Sequence, residues 1–283
     1  VSIASGLADG VTYTVTLTGT GADGQVARVG LSVAVRSALG SIGWEVLADY
    51  DLTTIDTASA VTGTSGSIAL TVGGAAFLTL TDLDGLTTGS ITPTNGTGLV
   101  FDVTTTGQRS IMLDPDWSAL GITNHFRRIY AVEAQGSVGT LANGASALVL
   151  MSSASSGGST NHNFGSRITW NGTVYSINAR SYSSGAANLV NDTTQAGAPT
   201  AWSASMMRSP EGIEVCHSLA ALPANPDAHT YLGRRRSQDQ AFVANLGLRM
   251  GTDPKLALAL NGAAGANSQM TISRLRISVM EVV

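Results

Sequence analysis

Glycine follows asparagine or aspartate at Asp9-Gly10, Asp23-Gly24, Asp84-Gly85, Asn95-Gly96, Asn143-Gly144, Asn171-Gly172 and Asn261-Gly262, spread along the whole chain. These dipeptides tolerate the positive φ that a tight hairpin requires. Between them stand runs that alternate apolar and polar residues. Thr12-Tyr13-Thr14-Val15-Thr16-Leu17 puts Tyr13, Val15 and Leu17 on one face and threonines on the other, and Val29-Gly30-Leu31-Ser32-Val33-Ala34-Val35 repeats the pattern. A period of two marks a half-buried strand. With Ala22-Asp23-Gly24 between them the two runs read as a hairpin, as does Thr169-Trp170-Asn171-Gly172-Thr173-Val174-Tyr175. Further strands are expected over 44–47, 67–72, 76–80, 99–103, 110–113, 128–135, 147–151, 167–170, 174–179, 212–217, 247–250, 255–260 and 271–279. Helical periodicity is nearly absent, with one turn expected at Asp114-Pro115-Asp116-Trp117-Ser118-Ala119-Leu120. An all-β fold follows.

No repeat of fixed period is visible, which argues against a propeller or β-helix. The stretches 152–166, 181–205 and 219–239 lack strand patterns and read as long loops, where binding tends to sit. A boundary falls near Ala38-Leu39-Gly40-Ser41. The leading segment, 1–41, is hairpin-sized and too small to bury a core alone, so it is expected to dock on a neighbour. Residues 42–283 suit an antiparallel two-sheet jelly roll.

Charged residues make up only 12% of the chain, about half the usual share of roughly 25%. Serine, threonine, asparagine and glycine must finish the surface instead, as fits a protein built into an assembly or kept outside cells. A net charge of −4 gives no cationic footprint, so no nucleic-acid partner is expected. The basic run Arg234-Arg235-Arg236 reads as a solvated loop or a cluster pairing with nearby acids. No stretch approaches the roughly 18 apolar residues of a spanning helix, so membrane insertion is not expected. The opening Val1-Ser2-Ile3-Ala4 carries no leader pattern and fits either a removed signal or removal of an initiator methionine. Cys216 has no second cysteine to pair with and reads as a buried, inert thiol, with His217 on the opposite strand face.

The segment Trp44-Glu45-Val46-Leu47-Ala48-Asp49-Tyr50-Asp51-Leu52-Thr53, followed by Ser67-Ile68-Ala69-Leu70-Thr71-Val72-Gly73-Gly74 and Asn95-Gly96-Thr97-Gly98-Leu99-Val100-Phe101, resembles the opening of concanavalin A-like (laminin G-like) jelly rolls of bacteriophage or gene-transfer-agent virion proteins. Leu246-Gly247-Leu248-Arg249-Met250-Gly251, 256–260 and Ile272-Ser273-Arg274-Leu275-Arg276-Ile277 resemble their closing strands. The resemblance runs over about 42–283 and marks a fold rather than an activity. It implies a fibre, spike or decoration protein of a virion, made in the bacterial cytoplasm and non-enzymatic. Its expected partners are other virion subunits through 1–41, further copies of itself in a homo-oligomer, and host-surface polysaccharide. The alternatives are a polysaccharide-active jelly-roll enzyme and a secreted bacterial adhesin or filament subunit.

Glycoside hydrolysis needs two positioned carboxylates. The E-x-D-x-x-E strand pattern of jelly-roll hydrolases does not occur, and Glu211 and Glu214 are spaced to face opposite sides of a strand. The arginine, glutamine-histidine and tyrosine strand motifs of jelly-roll lyases are not recognisable. No cofactor is expected. No metal site is expected either, because His125, His162, His217 and His229 lack ligand spacing. Asp82 and Asp84 read as a solvated turn, with calcium binding by loop oxygens as the alternative. Sugar recognition combines an aromatic ring with amide and hydroxyl groups. That mixture singles out Trp202, Tyr182, His162 and Asn163 as the expected carbohydrate-binding residues, with Trp202 stacking on a pyranose.

Overall fold

The computed structural model describes residues 11–20, 26–35, 44–85, 89–120, 128–152, 163–183, 186–209, 212–223, 233–236 and 255–281. The chain divides into two compact units, Val1–Gly43 and Trp44–Val283. In the first, β1 (Val11–Thr20) and β2 (Val26–Val35) pair antiparallel without interruption, from Val11 opposite Val35 to Thr20 opposite Val26.

The second unit contains β3 (Glu45–Asp51), a 3-10 turn (Leu52–Thr54), β4 (Ile68–Val72), β5 (Ala75–Gly85), β6 (Gly89–Thr94), β7 (Gly98–Val103), β8 (Gly107–Leu113) and β9 (Arg128–Val138). It continues with β10 (Ser146–Ser152), β11 (Asn163–Trp170), β12 (Tyr175–Ser183), β13 (Ala186–Gln195) and β14 (Trp202–Ser209). The last strands are β15 (Gly212–Ser218), β16 (Gly233–Arg236), β17 (Lys255–Gly262) and β18 (Ser268–Glu281). Sheet I runs β13-β12-β11-β10-β17-β8-β5-β4, and sheet II runs β16-β15-β14-β9-β18-β7-β6 with β3 also paired to β18. The described pairings are antiparallel, and the unit is a sandwich of two antiparallel sheets, as the jelly-roll reading expects.

Alternation decides which side chains close the sandwich. Ala147, Val149 and Met151 of β10, Leu256, Leu258 and Leu260 of β17, and Ile111 and Leu113 of β8 turn inward from sheet I. They meet Val132 and Ala134 of β9, Ala204 and Met206 of β14, Val215 of β15, and Leu275 and Ile277 of β18. Burial of each such aliphatic side chain is worth about 1.5–3 kcal/mol. The inward parity of β18 changes along its length, from Met270 and Ile272 to Leu275, Ile277 and Val279, because the register slips between Ile272 and Arg274. Gly136 makes room for that bulge, since a Cβ there would overlap the Thr271 carbonyl.

Turn chemistry follows the sequence. Asn171 Oδ1 accepts the N–H groups of Thr173 and Val174 at 2.9 Å each, and Gly172 takes a φ of 90°, joining β11 to β12. Asp116 accepts from the Ala119 N–H at 3.0 Å and so caps the expected single turn. Asp56 binds the N–H groups of Gly73 and Gly74 at 2.9 and 2.8 Å and the Thr71 hydroxyl at 2.7 Å, which fixes the β4–β5 hairpin.

Three expectations change. The stretch 181–205 is not a loop: it holds the end of β12, all of β13 and the start of β14. Within 152–166, β11 begins at Asn163. Arg234, Arg235 and Arg236 belong to β16 rather than to a loop. The strand expected over 247–250 lies outside the described residues.

Candidate functional site

Trp202 opens β14 on its inward side and is only 1% exposed. Its Nε1 donates to Ser166 Oγ at 3.0 Å, and Ser166 Oγ lies 3.3 Å from His217 Nδ1, so a buried polar trio joins the two sheets. The expectation that Trp202 stacks on a sugar is corrected. A ring enclosed between sheets reaches no external ligand, and its indole N–H is already satisfied. Cys216 and His217 do face opposite ways. Cys216 is buried with its Sγ 3.4 Å from Glu214 Oε1, while His217 turns to Ser166.

The other expected residues fare differently. Asn163 and Tyr182 stand directly opposite each other where β11 pairs with β12, so the register brings these two positions together. His162 lies outside the described residues. Asp82 and Asp84 fall within β5 rather than in a turn.

From the Asn163–Tyr182 pair, the β11–β12 register steps to Gly165 opposite Arg180, then Arg167 opposite Asn178, then Thr169 opposite Ser176. Phe164 and Ile168 of β11, and Ile177 and Ala179 of β12, occupy the core, so Arg167, Thr169, Ser176, Asn178 and Arg180 belong to the outer face of sheet I. Arg167 is opposite Leu148 on its other side, in β10. Leu148 and Leu150 join Met112, Ala257 and Ala259 in a second buried apolar cluster, separate from the main core. The outer face of sheet I is thus apolar over β8, β17 and β10 and hydrogen-bonding over β11 and β12.

Arg167 sits at the seam between those two parts. Its guanidinium makes no hydrogen bond or ion pair with a described residue, and its Nε is shut off from solvent. Burial draws its pKa below the usual arginine range, yet an arginine remains a cation at neutral pH.

The outer face of sheet II is closed by the chain itself. Arg276, on β18, donates from Nε to Glu133 Oε2 of β9 at 2.5 Å and from Nη1 to the Pro223 carbonyl at 2.5 Å, and both charged side chains are almost fully buried. The Leu222 N–H donates to Gln135 Oε1 at 2.8 Å, which lays 222–223 across the same face. Beside it is a cleft of about 600 Å³ lined by Asp49, Asp51, Thr53, Gln135, Ser273 and Arg274. Its charged groups are engaged by neighbours of the chain. Arg274 pairs with Asp49, which holds the Asp49 carboxyl below its ordinary value, and Asp51 accepts from the Thr53 N–H at 2.9 Å and its hydroxyl at 2.6 Å.

Sequence reasoning missed Arg167 and Asn178. They lie on different strands, and only register sets them opposite each other. The available signal was local: an arginine in the polar phase of an alternating run, between Ser166 and Ile168.

No protein-family model matches the sequence, and no curated protein is similar to it. Solved structures are similar. The CBM2 module of the evolved Dit of Lactobacillus casei BL23 phage J-1 aligns at a TM-score of 0.43 and 7% identity, over 85% of this chain and 98% of that one. An alginate lyase from Pseudomonas aeruginosa aligns at 0.43 and 11% identity, over 81% and 99% of the two chains. A pseudo β-1,3-glucanase of Mycobacterium tuberculosis aligns at 0.43 and 11% identity, over 86% and 92%. The expectation of a non-enzymatic protein is corrected at this point: lyases occur among the structures of similar fold, so a missing sequence motif does not exclude catalysis. The physical reason is that a sheet face collects its residues from neighbouring strands, which no linear spacing displays.

Proposed function

We propose that the protein recognises polysaccharide on the outer face of sheet I, over β11 and β12. The observation that carries this reading is the row-by-row placement of Arg167 with Asn178 and Thr169 with Ser176, with Arg180 one row beyond, on a face turned away from the core. Asn178 is 8% exposed there and uses its Nδ2 on the Ser176 carbonyl, while Arg167 and Ser176 are part-exposed. Adjacent strands offer hydroxyl, amide and guanidinium groups at fixed spacing, which suits a polymer of hydroxylated rings. The Asn163–Tyr182 pair extends the same register.

The setting that accords with this reading is the outside of a phage-like particle, with host-surface polysaccharide as the ligand and 1–41 as the segment that meets other virion subunits. The sparse charge of the chain, 12%, supports a place in an assembly. Cleavage of the bound polymer is a second reading, favoured by the cation on the same face. Elimination beside a sugar carboxylate needs positive charge to stabilise the developing anion.

Affinity electrophoresis of the full chain through gels containing bacterial surface polysaccharides tests the first reading. Asn178→Ala is expected to weaken retention about fivefold, the effect of losing one hydrogen bond of about 1 kcal/mol. Unchanged retention in that variant, with loss on substituting Asp51 or Gln135, would move the site to the sheet II cleft. Release of new chain ends from the retained polymer would establish the second reading.

A further inference from the structure

We propose that the polysaccharide read by sheet I is acidic, and that Arg167 binds a carboxylate carried on its sugar rings. This rests on the reading of sheet I as the recognition surface, and adds the chemical class of what it takes.

The chain treats three of its other arginines alike. Arg109 is buried and donates to the Thr62 and Gly63 carbonyls, the former at 2.8 Å. Arg274 pairs with Asp49, and Arg276 with Glu133 and the Pro223 carbonyl. Each of these three guanidinium groups has received an oxygen from the chain. Arg167 is half-buried, beside Leu148, and has received none among the described residues. Burying a guanidinium without a partner is unfavourable, because hydration is lost and nothing replaces it.

A ligand oxyanion would replace it well. A planar guanidinium matches a carboxylate in a two-pronged hydrogen-bonded pair, and such charge-assisted bonds are among the strong ones. The apolar cluster of Met112, Leu148, Leu150, Ala257 and Ala259 lowers the local polarity beside Arg167, so attraction to an anion there exceeds that at an open surface. Ser176, one row beyond Asn178 on the same face, is placed to engage ring hydroxyls next to that carboxylate, and the Asn178 amide oxygen lies between them, its Nδ2 donating to the Ser176 carbonyl at 3.2 Å. A neutral glycan would satisfy the second group and leave the first unanswered.

The test uses the full chain in affinity electrophoresis at low salt. The probes are polygalacturonate, polyguluronate and hyaluronate, the same three polymers after chemical reduction of their carboxyl groups, and dextran sulfate. Retention by at least one polyuronate is expected, with a loss of about 10-fold or more on carboxyl reduction. Arg167→Gln should reproduce that loss on the unreduced polymer. Arg167→Lys should recover only part of the binding, because a lysine keeps the charge and lacks the fork. An unchanged melting temperature in both variants shows that the fold is intact. Equal retention of the native and reduced polymers, or full retention by Arg167→Gln, overturns the acidic ligand while leaving polysaccharide recognition standing. Stronger retention by dextran sulfate than by any polyuronate overturns the carboxylate. Retention by none of these probes or of the bacterial polysaccharides overturns both.

Discussion

Arg276 and Arg167 occupy equivalent kinds of position, an outer-face residue near the middle of a sheet, and the chain treats them in opposite ways. On sheet II, Arg276 is enclosed by Glu133, the Pro223 carbonyl and the overlying 222–223 segment. On sheet I, Arg167 is pressed against leucine and has no partner among the described residues. The first arrangement meets the guanidinium with a carboxylate and a carbonyl of the chain and holds that part of the face shut. The second leaves the Arg167 guanidinium unmatched by any described residue. Surfaces of one fold are thus distinguished by whether their polar groups are consumed internally.

The contrast can be broken most forcefully on sheet II. Glu133→Ala would leave the Arg276 cation buried without its counterion, and should lower unfolding free energy in denaturant titrations by about 3–5 kcal/mol. A loss under about 1 kcal/mol would mean that the sheet II face is not closed by this pair. A smaller effect is expected at the half-exposed Asp49–Arg274 pair. The Asp49 carboxyl is lowered chiefly by its hydrogen bond with Arg274, so its stabilising contribution is present above the ordinary value of 3.8 and is lost as pH falls below that through the folded value. Asp49→Asn should remove this acid-side slope and cost less than about 1 kcal/mol at neutral pH, since solvent screens the pair. An acid-side stability profile identical to that of the parent would contradict it.

The smallest change sharpens the comparison from the other side. Arg167→Leu extends the apolar cluster of Leu148 and Leu150 and discards a partnerless cation, so thermal stability should stay level or rise by up to about 1 kcal/mol. A loss of about 2 kcal/mol or more would show that the chain does hold this guanidinium, and the difference between the two sheets would vanish.

The sequence disclosed most of the scaffold and little of this contrast. Alternation is plain where the inward residues are large, as in β17, where Leu256, Leu258 and Leu260 oppose Ala257 and Ala259. It fades in β14, where the inward Trp202, Ala204 and Met206 are interleaved with Ser203, Ser205 and Met207, because alanine and serine differ little in size and methionine stands in both phases. It fades again in β13, an edge strand whose Asn188, Asn191, Asp192, Thr193 and Thr194 give a polar run without contrast. Losing those two strands turned Trp202 into an apparent loop residue and drew attention to the wrong aromatic. The polar row over β11 and β12 depends on which residues register opposes, and that is settled by the whole sheet rather than by any one segment.

Strand β18 has a consequence for how the chain comes to be folded at all. It pairs along its length with β9 and, on its other side, with β7 and then β3, so the first and last strands of the larger unit are direct neighbours. At about 5–20 residues per second, roughly 10–45 s separate their emergence from the ribosome. During that interval β9 has one open edge and the inward residues of β3 and β7 lack their cover. Such long-range closure is slow, and the half-built sheet is the species most prone to stick to another copy. The rate of translation between β3 and β18 should therefore bear on the yield of folded protein.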